Sequence, residues 1–141
     1  YRYLLSKEDL PIVTIKEEID FVNLYVDLLK ERFSNGLIVN ISIPDEFLEF
    51  NIIPGGLQML VENAIKHNVI SQECPLVINV FIDNEKIVIK NNLQPKITTI
   101  ESGGIGIKNI RGQYMFLFRK DIQIKVDSFH YEVRLPLIDN V

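Results

Sequence analysis

The 141-residue chain has little sulfur, no excess of basic charge and no long apolar run. One cysteine, Cys74, excludes an internal disulfide framework and fits a reducing compartment. Lys and Arg number 15 against 19 Asp and Glu, a formal net charge of -4. That balance lacks the basic footprint nucleic-acid binding needs, so no nucleic acid is expected as a partner. No apolar stretch approaches the roughly 18 residues of a membrane span, and no signal peptide is expected within these residues. There is also no repeat, no low-complexity tract and no shift in composition that would mark a second domain. The chain opens "YRYLLSKEDL" without a methionine, which reads as a piece cut from a longer protein whose membrane attachment stays open. What remains is ordinary: 47% apolar and 24% charged residues fit one soluble globular domain with a real core.

Residues Tyr1 to Leu5 read as the end of a helix begun upstream. "TIKE" reads as a capping box, Thr14 with Glu17, opening a helix to about Phe33. Its apolar residues Ile15, Ile19, Val22, Val26 and Leu29 recur at three and four. "SNG" should end it, with Gly36 in the left-handed conformation. "LIVNISI" alternates like a strand and Pro44 closes it. Pro54 introduces a helix over roughly Gly55 to Ile70. "LVINVFID" and "KIVIKN" form a hairpin turned at Asn84 and Glu85. A loop from Leu93 to Gly104 precedes a helix from Gly106 to Leu117. "IQIKVD" and "YEVRLPL" make a last hairpin, turned at Ser128 to His130. Hairpin strands are antiparallel, and helices spaced this way cover one sheet face. The expected fold is an α+β two-layer sandwich with a mostly antiparallel sheet.

The helix over 55–70 contains "LVENAIKHN". Leu57, Leu60, Val61, Ala64 and Ile65 form its apolar stripe, and Glu62, Asn63, Lys66 and His67 gather on the other side. This could be a solvated face with a Glu62–Lys66 ion pair. It could equally be a magnesium–nucleotide site: asparagine is a poor helix-interior residue, and its amide oxygen suits a hard cation. Lysine and histidine can face phosphate. Farther on, "SGGIGIKNI" combines close backbone approach with a helix N-terminus, which favours phosphate. It has neither the Walker lysine spacing nor the strand context of a dinucleotide fingerprint. "NN" at Asn91 and Asn92 reads by itself as a turn. Cys74 reads as structural, and "YMFLF" as a core-facing helix end.

In this order the segments resemble the ATP-binding domain of LytS-like sensor histidine kinases, in the Bergerat or GHKL fold. "LVENAIKH" resembles the N box and "GIGIKNI" the second glycine box. "TIKEEIDFVNLYVDLLKERF" and "RLPL" resemble flanking parts of the same family. The resemblance implies ATP and Mg2+ as cofactors, with Asn63 as the metal ligand and Glu62 beside it as catalytic base or water-positioning group. It implies that Lys66 and His67 line the phosphates. Gly104, Ile105 and Gly106 would fold over the triphosphate, with Lys108 and Asn109 following. Leu93 to Gly103 would be the ATP lid. Asn91 stands where the family has an aspartate that receives the adenine amino group, and Leu93 where it has glycine. The glycine–threonine near the last hairpin is missing around Phe129 and His130.

The resemblance implies a cytoplasmic catalytic domain, residues 14–141, of a membrane-anchored bacterial protein. Residues 1–13 would close an upstream helical segment that holds the phosphoacceptor histidine and the dimer contacts. A response regulator would be the downstream partner, and the piece alone would be monomeric. His67 belongs to the nucleotide site and His130 to plain surface, so neither is the acceptor. The alternative is a degenerate pseudokinase module acting as a signalling scaffold. A serine kinase or an ATPase clamp of the same fold agrees less well with the chain length and the "TIKEEIDF" lead-in.

Overall fold

The computed structural model describes residues 12–96 and 104–138. The expected upstream helix end at residues 1–5 and most of the loop 93–103 lie outside them. The elements run β1 Val13–Thr14, α1 Ile15–Phe33, β2 Leu37–Ser42, β3 Asn51–Ile52, α2 Gly56–His67, β4 Leu76–Asp83, β5 Lys86–Asn92, α3 Gly104–Phe118, β6 Gln123–Val126 and β7 His130–Pro136. Five strands form one sheet in the order β2-β4-β5-β7-β6. All its neighbours are antiparallel except β2 and β4. That pair is parallel because the chain passes through α2 between them, as a parallel connection requires. β1 and β3 make a separate two-stranded ribbon, which periodicity could not show at two residues each.

The helices pack on one face of the sheet. Leu76, Ile78, Val80, Ile87, Ile89, Val133 and Leu135 alternate toward them and are buried. From α2 the expected stripe of Leu57, Leu60, Val61, Ala64 and Ile65 is buried against that face. Each of its larger side chains contributes roughly 1.5–3 kcal/mol of burial. From α3, Ile110 and Tyr114 close the core, while Met115 and Phe116 face outward. "YMFLF" is thus core-facing at Tyr114, Leu117 and Phe118, and turned outward at Met115 and Phe116.

The capping box forms as expected: Glu17 N donates to Thr14 Oγ1, and Thr14 N donates to Glu17 Oε1, both at 3.1 Å. The exit of α1 differs. Ser34, not Gly36, takes the positive φ, 53°. Gly36 is needed for space: a Cβ there would meet the Ser71 backbone carbon at 3.1 Å and Ile70 Cγ2 at 3.2 Å. α2 ends at His67 rather than Ile70, because Asn68 leaves the helix to bridge Pro95. Asn84 and Glu85 both adopt positive φ, the geometry of a two-residue hairpin turn. The last hairpin turns at Asp127, whose Oδ1 accepts from the N–H groups of Phe129 and His130 at 2.7 Å.

Candidate nucleotide site on the second helix

α2 carries the polar cluster, and α1 sets where α2 begins. Gly55, at φ 77°, stands at the N-cap position and offers no capping side chain. The cap comes from α1. Glu18 is 5% exposed; its Oε1 accepts from Gly55 N at 3.1 Å and its Oε2 from Gln58 N at 3.3 Å. A carboxylate there satisfies two orphan donors and faces the positive end of the helix dipole. Across the core, the Tyr114 hydroxyl accepts from Ile53 N at 3.3 Å, fixing the chain just before the helix. Burial pushes the Tyr114 phenol far above its ordinary range, so it stays protonated.

Farther along α2 the polar side chains have few protein partners. Glu62 accepts only a long 3.5 Å contact from Gln58 Nε2. It lies near Tyr25 of α1, whose pKa is raised by burial and then by the Glu62 carboxylate. The expected Glu62–Lys66 ion pair is not formed: Lys66 makes no hydrogen bond or ion pair among the described residues and is exposed. Asn63 Nδ2 donates to Met59 Sδ at 3.1 Å, and its Oδ1 accepts nothing among the described residues. His67 Nε2 is buried and without a partner. Burial first, then Lys66 and Lys96, holds the His67 imidazole below its ordinary pKa, so it is neutral at pH 7.

The glycine segment meets this cluster through Met59. A Cβ placed on Gly106 would lie 3.0 Å from Met59 Sδ and 3.3 Å from its Cγ, so the first turn of α3 rests directly on the thioether. Gly104 and Ile105 occupy the helical start of α3, with Lys108 and Asn109 exposed one turn on. No hydrogen bond or ion pair among the described residues joins Lys108 or Asn109 to α2.

Asn91 and Asn92 remain in β5, which corrects the turn reading. Asn92 stays extended because its side chain continues the ladder: Oδ1 accepts from Val77 N at 2.7 Å, and Nδ2 donates to Pro75 O at 3.1 Å. Asn91 is 3% exposed, on the helix-covered face with Ile87 and Ile89. Its Nδ2 donates to Asn92 O at 2.8 Å, and its Oδ1 accepts nothing among the described residues. The base of the segment after β5 is tied to the end of α2. Asn68 Oδ1 accepts from Gln94 N at 2.7 Å, Val69 N donates to Gln94 O at 2.7 Å, and Lys96 N donates to His67 O at 3.1 Å. Asn68, Gln94, Met59 and Glu18 all shape the site, and none was singled out by the sequence.

A different concavity, about 520 Å3, lies between β2, β4, β5 and β7 and is lined by Asn40, Phe81, Lys90 and His130 among others. The N-box residues do not line it. Most of its lining, such as Asn79 and Phe81, alternates away from the helices, but Val80 and Asn91 of the helix-covered face also border it. The thiol of Cys74 is exposed rather than structural, although its backbone is bonded to Ser71 Oγ and Gln94 Nε2.

No family model matches the chain. Among curated proteins it is 24% identical to the sensor protein LytS of Oceanobacillus iheyensis over 135 residues, 83% of this chain. It is 31% identical to the sensor histidine kinase YesM of Bacillus subtilis over 127 residues, 84% of this chain. Over 55 residues it is 47% identical to the sensor histidine kinase BtsS of Escherichia coli. Among solved structures, the catalytic domain of histidine kinase ThkA superposes with a TM-score of 0.58, covering 92% of this chain and 97% of that one, at 13% identity. By sequence and by fold, this is a LytS-like histidine-kinase domain. The histidine kinase AdeS of Acinetobacter baumannii has the same fold, with a TM-score of 0.53, 14% identity and 89% of this chain covered. The LytS-like domain spans only 23%, 22% and 10% of the lengths of LytS, YesM and BtsS. Among its described residues no helix is long and apolar enough to cross a membrane.

Proposed function

We propose that this domain binds ATP with magnesium and donates the γ-phosphoryl group to a histidine on a helical domain outside this chain. The observation that carries the reading is the Asn63 amide oxygen, unpartnered on a helix whose other polar groups are also largely unpaired. Among the described residues, the buried side-chain polar atom left without a partner is His67 Nε2, one turn on from Asn63, and a buried polar group normally finds a partner, which a ligand can supply. The donor chemistry fits magnesium held jointly with nucleotide. No group of three or more His, Cys, Asp or Glu side chains among the described residues could hold a cation alone. Magnesium usually takes one or two protein oxygens and completes its shell with phosphate and water.

In this reading Asn63 Oδ1 is the protein ligand, and Glu62, one residue before it, orients a water or accepts a proton. Lys66 supplies positive charge to the phosphates, and neutral His67 offers a ring nitrogen as a hydrogen-bonding group. Gly104, Ile105 and Gly106 present backbone N–H groups at the start of α3, followed by Lys108 and Asn109. Asn91 Oδ1 receives the adenine amino group, more weakly than a carboxylate would. Magnesium, when bound, neutralises phosphate charge. The protein's share of phosphoryl transfer is mostly positioning and electrostatics. Residues 14–141 form the catalytic domain, and residues 1–13 lead to the helices of a dimeric, membrane-anchored sensor that phosphorylates a response regulator.

Calorimetric titration with a non-hydrolysable ATP analogue, with magnesium and with EDTA, tests this. The wild-type chain should bind in a magnesium-dependent way, and Asn63→Ala should lose that dependence. Absence of binding at millimolar analogue would favour the scaffold alternative.

A further inference from the structure

The contact between Asn63 and Met59 has a direction built into it. A thioether carries no hydrogen and can only accept. The amide can therefore approach Sδ only through its N–H2 end, and the carbonyl oxygen is turned to the other side. The geometry agrees: Nδ2 lies 3.1 Å from Sδ, and Oδ1 has no acceptor role among the described residues. Met59 lies one helical turn before Asn63 on α2. The same sulfur also forms the seat of α3, 3.0 Å from where a Gly106 Cβ would stand. One side chain thus touches both halves of the site.

We propose that Met59 is a positioning residue. Its thioether fixes the Asn63 amide so that Oδ1, not Nδ2, is left free for a cation, and its seat under Gly106 ties that orientation to the first turn of α3. The proposal deepens the magnesium–nucleotide reading and rests on it. An aliphatic side chain of the same size could fill the space between the helices but could not choose between the two ends of the amide.

The test compares Met59→Leu, which keeps the bulk and removes the acceptor, with Met59→Gln, which restores an acceptor on an unbranched chain. Titration with the ATP analogue in magnesium and in EDTA gives the gain due to magnesium as a ratio of two Kd values. Met59→Leu should lower that gain about tenfold, the lower range for a partner that orients a metal ligand, with affinity in EDTA unchanged. Met59→Gln should recover part of it, because its carbonyl can accept from Asn63 Nδ2 although, unlike the thioether, its amide can also donate. In the nucleotide-free protein, the side-chain amide resonances of Asn63 should shift in Met59→Leu and return toward the wild-type values in Met59→Gln. Gly106→Ala leaves the sulfur chemically intact but displaces it, and should show the same loss of gain. An unchanged gain, or unmoved Asn63 amide resonances in Met59→Leu, overturns the proposal. Wild-type protein without magnesium-dependent binding overturns the nucleotide reading instead, and the amide resonances still decide whether Met59 orients Asn63.

Discussion

The two ends of α2 are built in opposite ways. At its start, the backbone N–H groups of Gly55 and Gln58 are met by a buried carboxylate from another helix. Over its second half, the Asn63 oxygen, the Lys66 ammonium and the buried His67 nitrogen have no hydrogen-bonding partner among the described residues. One helix therefore carries a closed end that holds it in place and an open stretch that is left for something else. Stability and binding should accordingly separate along its length.

The largest effect should come from the closed end. Glu18→Ala leaves two partly buried N–H groups unmet and removes the charge facing the helix dipole. It should lower the unfolding free energy by about 3 kcal/mol in urea titration, since bonds to a charged acceptor are worth more than neutral ones. Tyr114→Phe should cost less, about 1–2 kcal/mol by the same measurement, because it strands one N–H, that of Ile53, with little loss of packing. At the open stretch, Asn63→Ala should change stability by no more than about 0.5 kcal/mol, since alanine is the better helix former and only a sulfur contact is lost. A loss of several kcal/mol there would mean that Asn63 belongs to the scaffold.

The smallest effect concerns pH. The His67 imidazole is held below its ordinary value of 6.5 by burial and by Lys66 and Lys96. As pH falls below that value, the unfolded chain takes up a proton that the folded chain refuses. His67 therefore costs no stability above pH 6.5 and progressively more below it, down to its depressed folded pKa. His67→Gln should flatten this part of the stability–pH curve relative to wild type. Parallel curves would show that the imidazole titrates freely in the folded protein.

The contrast between the two ends also marks what could be read from sequence. The apolar stripe of α2 and its polar opposite face follow from helical spacing alone, and the structure buries one and leaves the other largely unpaired. The hairpins were legible from alternation and turn residues. Glu18 was not, because its partners lie 37 and 40 residues away and it sits among other acidic residues of an amphipathic helix. Met59 was hidden for a different reason. It reads as one more apolar residue, and only the approach of Gly106 gives its sulfur a role. Asn91 and Asn92 misled because asparagine favours turns by bonding to its own neighbourhood, whereas here Asn92 bonds across to β4 and prolongs the strand.

That prolongation matters for anyone who would exchange the segment after β5 between related domains. Asn92 serves the N–H of Val77 and the carbonyl of Pro75, and Gln94 Nε2 donates to the carbonyls of Val69 and Cys74. Side-chain amides, rather than backbone alone, continue the pairing beyond the sheet. A graft cut at the end of β5, just after Asn92, would keep the contacts to β4 but strip Gln94 from Asn68 and from the carbonyls of Val69 and Cys74 beyond the end of α2. The transplantable cassette starts after Lys96, and the four residues before it belong to the chassis.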